Sequence, residues 1–469
     1  MVDLWARTLR LNRCWILGLR SIVLLPICPA LAFPPSEVVH RDGFATATVR
    51  LVTNSVVELW PRSSGSSTTS LEPWLIQSRS KQTLPELTVR FPDGVTAAQV
   101  TIRKNGGAAV VAEGEVSTSP LRLRLGTTRS SALDFYTYEI NGVNGVRLAY
   151  WSGVGGFTDQ PLSRYQGRLL AETDTLFDSF WQRARAEVYA VEPAAVLVRQ
   201  QERDTTGGLF FRVQIQSTEG TTVVGWYIVP RNAAGPYPAI LILPGYGAEE
   251  PASDRTADGF ATLALSPRGH GLSKAFPWKG EGELLLHKII EPERYFYVRA
   301  VQDAVQGVRF LNSQTSISLI GVEGGSQGGM LAIGAAALCS REVAAVVSNV
   351  PCFSDYGWSL RTAHAGPHDS LRTYRSRTTN DDLMLSNASL GLTDGAALAS
   401  RVRQPLQVVM GSLDMISPVM SGFAIVNRSR AGERALILLA DEGHALPLAM
   451  QKRNRDWFLR HLHRTLRPK

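Results

Sequence analysis

Two rhythms of apolar residues divide the chain. From about Phe33 to Trp151, apolar and polar positions alternate in short stretches broken by turn residues. Leu87-Thr88-Val89-Arg90-Phe91 alternates and stops at Pro92-Asp93-Gly94, and Val100-Thr101-Ile102 runs into Asn105-Gly106. Leu121, Leu123 and Leu125 alternate with Arg122 and Arg124; Tyr136, Tyr138 and Ile140 do the same before Asn141-Gly142. A period of two sends successive side chains to opposite faces, and Asn-Gly favours a hairpin turn. The pattern predicts a small all-β, sandwich-like domain over 33–160, with a surface loop from Arg62 to Ser70. Its aromatic residues read as core, with carbohydrate binding as the alternative.

From about Leu209 the rhythm changes. Leu209 to Ile215 and Thr222 to Val229 predict a strand pair at a sheet edge. Near-continuous apolar runs follow at Ala239–Leu243, Ala261–Leu265, Ile317–Val322, Val343–Val347, Leu406–Met410 and Ala435–Leu439. Helical stretches such as Tyr297 to Leu311 separate most of them. Buried parallel strands alternating with helices predict an open, mostly parallel α/β sheet covered on both faces, over 209–469. Between the halves, 161–208 reads as a bridging segment. Phe177, Phe180, Trp181, Ala184 and Val188 share one helical face there, with Asp174 as N-cap.

The length of 469 residues suits two or three domains. Hydrophobic content of 44% and charged content of 19% argue against disorder. Part of the net charge of +8 sits at the N-terminus, where Arg7, Arg10, Arg13 and Arg20 oppose Asp3. The apolar Ser21 to Pro29 follows, then Ala30-Leu31-Ala32, the layout of a secretory signal over 1–32 cleaved after Ala32. A retained membrane anchor is the rival reading. Without this leader the charge is about +5 with no basic run, which gives no indication of nucleic-acid binding. Secretion or export to a periplasm is expected, without stable membrane insertion. Cys339 and Cys352 remain, too few for a disulfide scaffold or zinc site; a pair and two buried thiols both stay open.

Chemistry concentrates after the apolar run Ile317 to Val322, at Gly324-Gly325-Ser326-Gln327-Gly328. A helical stretch, Met330 to Leu338, comes next. G-x-S-x-G between strand and helix is the setting of a nucleophile elbow. A serine hydroxyl needs a base, and the base an orienting acid. Asp414 follows the strand ending at Met410, and His444 follows the strand Ala435–Leu439, giving the chain order Ser, Asp, His. His270 is the rival base, with His364 and His368 in a loop-rich insertion. Asp441 and Glu442 are alternative acids, but they lie too close to His444 along the chain to orient it easily. The backbone N–H of Gln327, and that of Tyr246 in Pro244-Gly245-Tyr246-Gly247, would form the oxyanion hole. Arg268 reads as a structural brace or a substrate contact; His270 and Trp278 read as pocket residues. No metal-ligand spacing or phosphate-cradling loop occurs, so no metal or cofactor is implied.

Together, Pro244-Gly245-Tyr246-Gly247, Arg268-Gly269-His270-Gly271, Gly325-Ser326-Gln327-Gly328-Gly329 and the aromatic-rich Glu291 to Arg299, with Asp303 beyond, resemble the acetyl xylan esterase / cephalosporin-C deacetylase family of α/β-hydrolases. The resemblance covers about Phe177 to the C-terminus. It implies an α/β-hydrolase fold, a triad of Ser326, Asp414 and His444, and backbone donors at Tyr246 and Gln327. The chain differs from the family pattern at His270, usually Gln, at Ala445, usually Glu, and at Ser266, often acidic. Those differences leave the triad intact. They leave open acetyl-sugar specificity and the family's ring-shaped oligomer.

The expected function is a secreted serine esterase removing small acyl groups from carbohydrate or related esters through an acyl-enzyme. A peptidase or amidase of the prolyl-oligopeptidase type is the alternative, motivated by the N-terminal β-domain. A non-catalytic binding protein on the same fold is the third reading.

Overall fold

The computed structural model describes residues 165–463, apart from 171–173, 232–234, 250, 276–282, 364, 412–413 and 440–441, together with the backbone of nine strands between residues 38 and 156. The expected signal at 1–32, the loop Arg62 to Ser70, Trp278, His364, Asp441 and the capping side chain of Asp174 lie outside the described residues.

The N-terminal strands form two antiparallel sheets and one annex. Strands β1 (Val38–His40), β4 (Glu86–Val89) and β7 (Leu121–Arg124) make the first, in the order β1-β4-β7. The second has the order β6-β5-β8-β9, from β5 (Ala98–Lys104), β6 (Val110–Val116), β8 (Leu133–Gly142) and β9 (Arg147–Gly156). Asn105-Gly106 lies in the connection from β5 to β6, which pair antiparallel. How the two sheets face one another lies outside the described residues. The remaining pair, β2 (Arg50–Leu51) and β3 (Ser55–Trp60), joins the large sheet instead, β3 running parallel to its last strand.

That large sheet carries the chemistry. It begins with the antiparallel β10 (Val196–Arg199), β11 (Gly208–Gln216) and β12 (Thr222–Pro230). Parallel strands follow: β13 (Tyr237–Leu243), β14 (Ala261–Ser266), β15 (Ile317–Gly325), β16 (Val343–Asn349), β17 (Leu406–Gly411) and β18 (Arg434–Leu439). The spatial order is β12-β14-β13-β15-β16-β17-β18. Strands β14 and β17 are buried at every position, as strands covered on both faces must be. The chain thus has the mostly parallel α/β-hydrolase sheet. Alternation alone did not single out β10, which is short and largely exposed.

Helix α1 (Asp174–Tyr189) docks the bridging segment through the buried Phe177, Phe180, Trp181, Ala184 and Val188. Trp181 Nε1 donates to the Leu392 carbonyl at 3.0 Å, and Arg185 Nε to the Leu338 carbonyl at 2.8 Å. Helices α2 (Phe296–Ser313) and α3 (Gln327–Leu338) are buried along nearly their whole length. Between β16 and β17 the chain is helical rather than loop-rich. Helices α4 (Tyr356–Thr362), α5 (His368–Arg375), α6 (Asn380–Leu392) and α7 (Gly395–Ala399) fill this insertion. Helix α8 (Val419–Arg428) follows β17, and α9 (Leu448–Leu462) follows β18. Cys339 and Cys352 are buried free thiols. Among the described residues no helix is long and apolar enough to cross a membrane.

Candidate active site

Backbone crowding builds the elbow. Ser326 sits at φ 57°, ψ −118°, between the end of β15 and the start of α3. A side-chain-bearing residue is strained there, and such strain persists only where the surroundings enforce it. The enforcement is visible at the two outer glycines. A Cβ on Gly324 would lie 2.2 Å from the Gly328 carbonyl oxygen, and one on Gly328 would lie 2.0 Å from the Leu243 carbonyl oxygen. Only hydrogen fits at either place. Ser326 N donates to the Asn349 carbonyl at 2.8 Å, and the Ser326 carbonyl accepts from Cys352 N at 3.1 Å. The hydroxyl is left pointing off the rim.

Two separate loops bring the partners. His444 Nε2 lies 2.8 Å from Ser326 Oγ, and His444 Nδ1 lies 2.8 Å from Asp414 Oδ2. Asp414 is buried, and its other oxygen accepts the N–H groups of Ile416 and Ser417, both at 2.8 Å. The acid is therefore fixed from behind and offers one free lone-pair face to the imidazole. With Nδ1–H donated to Asp414, Nε2 is the bare nitrogen, and it can accept the serine proton.

The Gln327 N–H opens α3, so no intrahelical acceptor is available to it. Its side chain is held by the buried Tyr297 hydroxyl, which donates to Gln327 Oε1 at 2.8 Å. The Tyr246 loop runs alongside: a Cβ at Gly245 would lie 3.8 Å from that of Ser326. The Tyr246 ring packs edge-on against His270 at 5.8 Å and Phe353 at 6.2 Å. Burial, then the nearby Glu283 carboxylate, pushes the phenol's proton affinity up, so it stays a donor to Glu283 Oε2 at 3.3 Å.

Arg268 and His270 stand behind this rim. The Arg268 side chain is wholly buried and grips Asp303 in a fork, Nε and Nη2 each at 2.8 Å. It also donates to Thr218 Oγ1 at 3.0 Å and to Glu219 at 3.2 Å. These contacts tie the loop after β14 to α2 and to the β11–β12 turn, which makes Arg268 a brace. His270 is buried and its Nδ1 donates to the Arg268 carbonyl at 3.0 Å. Burial lowers its affinity for a proton, and the side chain of Gln327 adjoins it. It therefore lines the rim as a neutral ring, and the imidazole on Ser326 is His444.

Pattern reading passed over a buried polar network beneath the elbow. Asn454 of α9 donates to Glu323 Oε1 at 2.8 Å and to Asn349 Oδ1 at 3.1 Å, and accepts from Gln407 Nε2 at 2.8 Å. It ties β15, β16 and β17 to the last helix. One signal was available: an asparagine sharing the apolar face of a helix with Trp457 and Phe458. Among the described residues no cluster of His, Cys, Asp and Glu could hold a metal.

Comparison with known proteins agrees with this architecture. The chain aligns with the curated acetyl esterase Axe7A of Xylanibacter ruminicola at 24% identity over 284 residues, 57% of this chain. The match spans 62% of that relative's length. The structure is similar to acetyl xylan esterase 1 from Thermoanaerobacterium sp. JW/SL YS485, with 23% identity and TM-score 0.58, covering 64% of this chain and 99% of the other. It is equally similar to an acetyl xylan esterase from Paenibacillus sp. R4, with 25% identity and TM-score 0.58, covering 65% and 100%. The family model described as acetyl xylan esterase matches residues 157–462. The chain belongs to the acetyl xylan esterase family, carboxylic ester hydrolases with the α/β-hydrolase fold.

Proposed function

We propose that this protein is a secreted serine esterase that removes acetyl or similar small acyl groups from carbohydrate or related esters. The observation supporting it most strongly is the unbroken relay of Ser326 Oγ, His444 and Asp414, with both links at 2.8 Å. Ser326 Oγ attacks the ester carbonyl while His444 Nε2 takes its proton. The carbonyl electrons move onto oxygen, where the N–H groups of Gln327 and Tyr246 receive the charge. As the carbonyl re-forms, the C–O bond to the alcohol breaks and His444 returns its proton to the departing oxygen. Water then attacks the acyl-Ser326 by the same route, releasing carboxylic acid and free enzyme. Asp414 holds the imidazole and balances its transient positive charge. The rings of His270 and Phe353 pack on Tyr246 beside the oxyanion loop, which favours a small acyl group. Export rests on the basic, then apolar, then Ala-x-Ala layout of residues 1–32.

The decisive assay compares wild type and Ser326→Ala on 4-nitrophenyl acetate, with fluorophosphonate labelling of the wild type. Activity and label are expected on Ser326 alone. Equal rates for the two proteins would end the proposal. Secretion is tested separately: the protein recovered outside the cytoplasm is expected to begin at Phe33, and an intact Met1 there would overturn cleavage.

A further inference from the structure

His368 is the first residue of α5 and has no exposed surface. Its ring lies 6.1 Å from Phe353 and 6.3 Å from Tyr356. Phe353 in turn lies 6.2 Å from the ring of Tyr246 and 4.7 Å from that of Tyr297. The imidazole thus belongs to the same aromatic belt as the oxyanion loop. Neither of its ring nitrogens has a hydrogen-bond partner among the described residues. Buried polar atoms nearly always have one, and an unpaired group calls for a reason. A leucine or phenylalanine would fill this place without stranding two polar atoms.

Position suggests the reason. On the esterase reading above, the alcohol leaves on the side from which His444 returns its proton. His368 stands near that end of the relay: the segment leading into α5 packs on the loop that carries Asp414, where Ala365 N donates to the Met415 carbonyl at 3.3 Å. Burial first, then Arg372 and His444, pushes its proton affinity down to about 3, so the ring is neutral at working pH. A neutral imidazole offers one N–H and one bare nitrogen, a match for a hydroxyl that both donates and accepts. Helix α5 is linked to the oxyanion loop by a water-exposed bridge. Glu283 accepts from Ser370 Oγ at 2.7 Å and from the Tyr246 hydroxyl at 3.3 Å. Parting that bridge would free the start of α5 to admit an alcohol, which contact with the buried His368 requires.

We propose that His368 is a specificity-determining residue that hydrogen-bonds a free hydroxyl next to the esterified oxygen. The test compares two esters: a mono-acetylated methyl xyloside with a free neighbouring hydroxyl, and 4-nitrophenyl acetate, which has none. His368→Phe is expected to lower kcat/KM on the sugar ester about tenfold or more and to change the aryl ester by less than about threefold, as a site built to bond a hydroxyl discriminates. His368→Gln is expected to recover part of the sugar-ester rate. Equal falls on both esters, or an unchanged ratio, would overturn the proposal. The wild type alone gives an independent check that needs no folded variant. Replacing the neighbouring hydroxyl of the sugar ester by hydrogen is expected to cost about tenfold, and no difference would overturn the assignment. Inactivity of wild type on both esters would instead sink the esterase reading.

Discussion

At the rim, where β13, β15, β17 and β18 end, backbone meets backbone; in the insertion of α4 to α6, side chains meet water. The elbow tolerates no Cβ at Gly324 or Gly328, and the triad links are all short. The insertion leaves Met384 and Leu385 exposed and opens a cleft of about 450 Å³ between Leu170, Leu360, Leu383 and the arginines 361, 372 and 375. Three residues at its entry, Val350, Phe353 and Asp355, have φ of 40°, 57° and 51°. Strain therefore borders both regions, but only the rim is filled by atoms with a single place to go. The lesson is a division of labour. On the proposed reading, fixed geometry at the rim makes and breaks the bond, and the helical cap around His368 decides which alcohol is admitted.

The sharpest way to break this comparison is at the nucleophile. Ser326→Ala should lower kcat on every ester by about 10⁴-fold or more with little change in melting temperature. A variant that loses one ester and keeps another would put chemistry in the cap. Next is the brace. Asp303→Ala removes the wholly buried carboxylate that grips Arg268 and should cost about 3–5 kcal/mol of stability, read from urea unfolding. An unchanged midpoint would remove Arg268 from the rim's support.

The third test falls at the hinge between the regions. Asp394 is buried and accepts the N–H groups of Asp355, Tyr356 and Ala396. Burial, then the Asp355 carboxylate, pushes its carboxyl up to about 7, from an ordinary 3.8. The folded state thus holds this proton more tightly than the unfolded chain. The stabilising contribution is complete below about pH 4 and is lost as pH rises through 7, with a slope of at most about 1.4 kcal/mol per pH unit. Melting temperature followed across that range should show the slope in wild type and not in Asp394→Asn. A slope retained by the variant would assign it to other groups. The smallest effect belongs to Tyr297→Phe. Freeing the Gln327 side chain should reduce kcat roughly threefold to tenfold on all esters, leaving KM nearly unchanged. A change in the ratio between esters would move Tyr297 from the rim's function to the cap's.

The rim could be read in the sequence because its demands are steric and local. Glycines on both sides of Ser326, an apolar run before it and a helix after it leave few other conformations. Asp414 and His444 were reachable by the same logic, each directly after a buried strand. Chain order favours His444 over His270 as the base, although both follow strands. The geometry agrees, with His444 Nε2 at 2.8 Å from Ser326 Oγ and His270 Nδ1 turned to the Arg268 carbonyl. The insertion was misread as loop because α4, α5 and α6 are short and mix charges with single apolar residues, which blurs a helical period. The burial of His368, named there only as a loop histidine, is illegible for the same reason. The Asn454 network is not legible in the pattern because its members lie on four separate elements, Asn454 itself within the charged run Lys452 to Asp456, and only the fold brings them together.

The two buried thiols have one further consequence. Burial pushes both Cys339 and Cys352 up to about 12, far from any pH at which sulfur becomes a reactive anion. Neither should be alkylated by iodoacetamide in the native state, nor seed covalent dimers when the protein is concentrated. The fold that carries them therefore rests on no disulfide between Cys339 and Cys352, and a reducing medium should leave it intact.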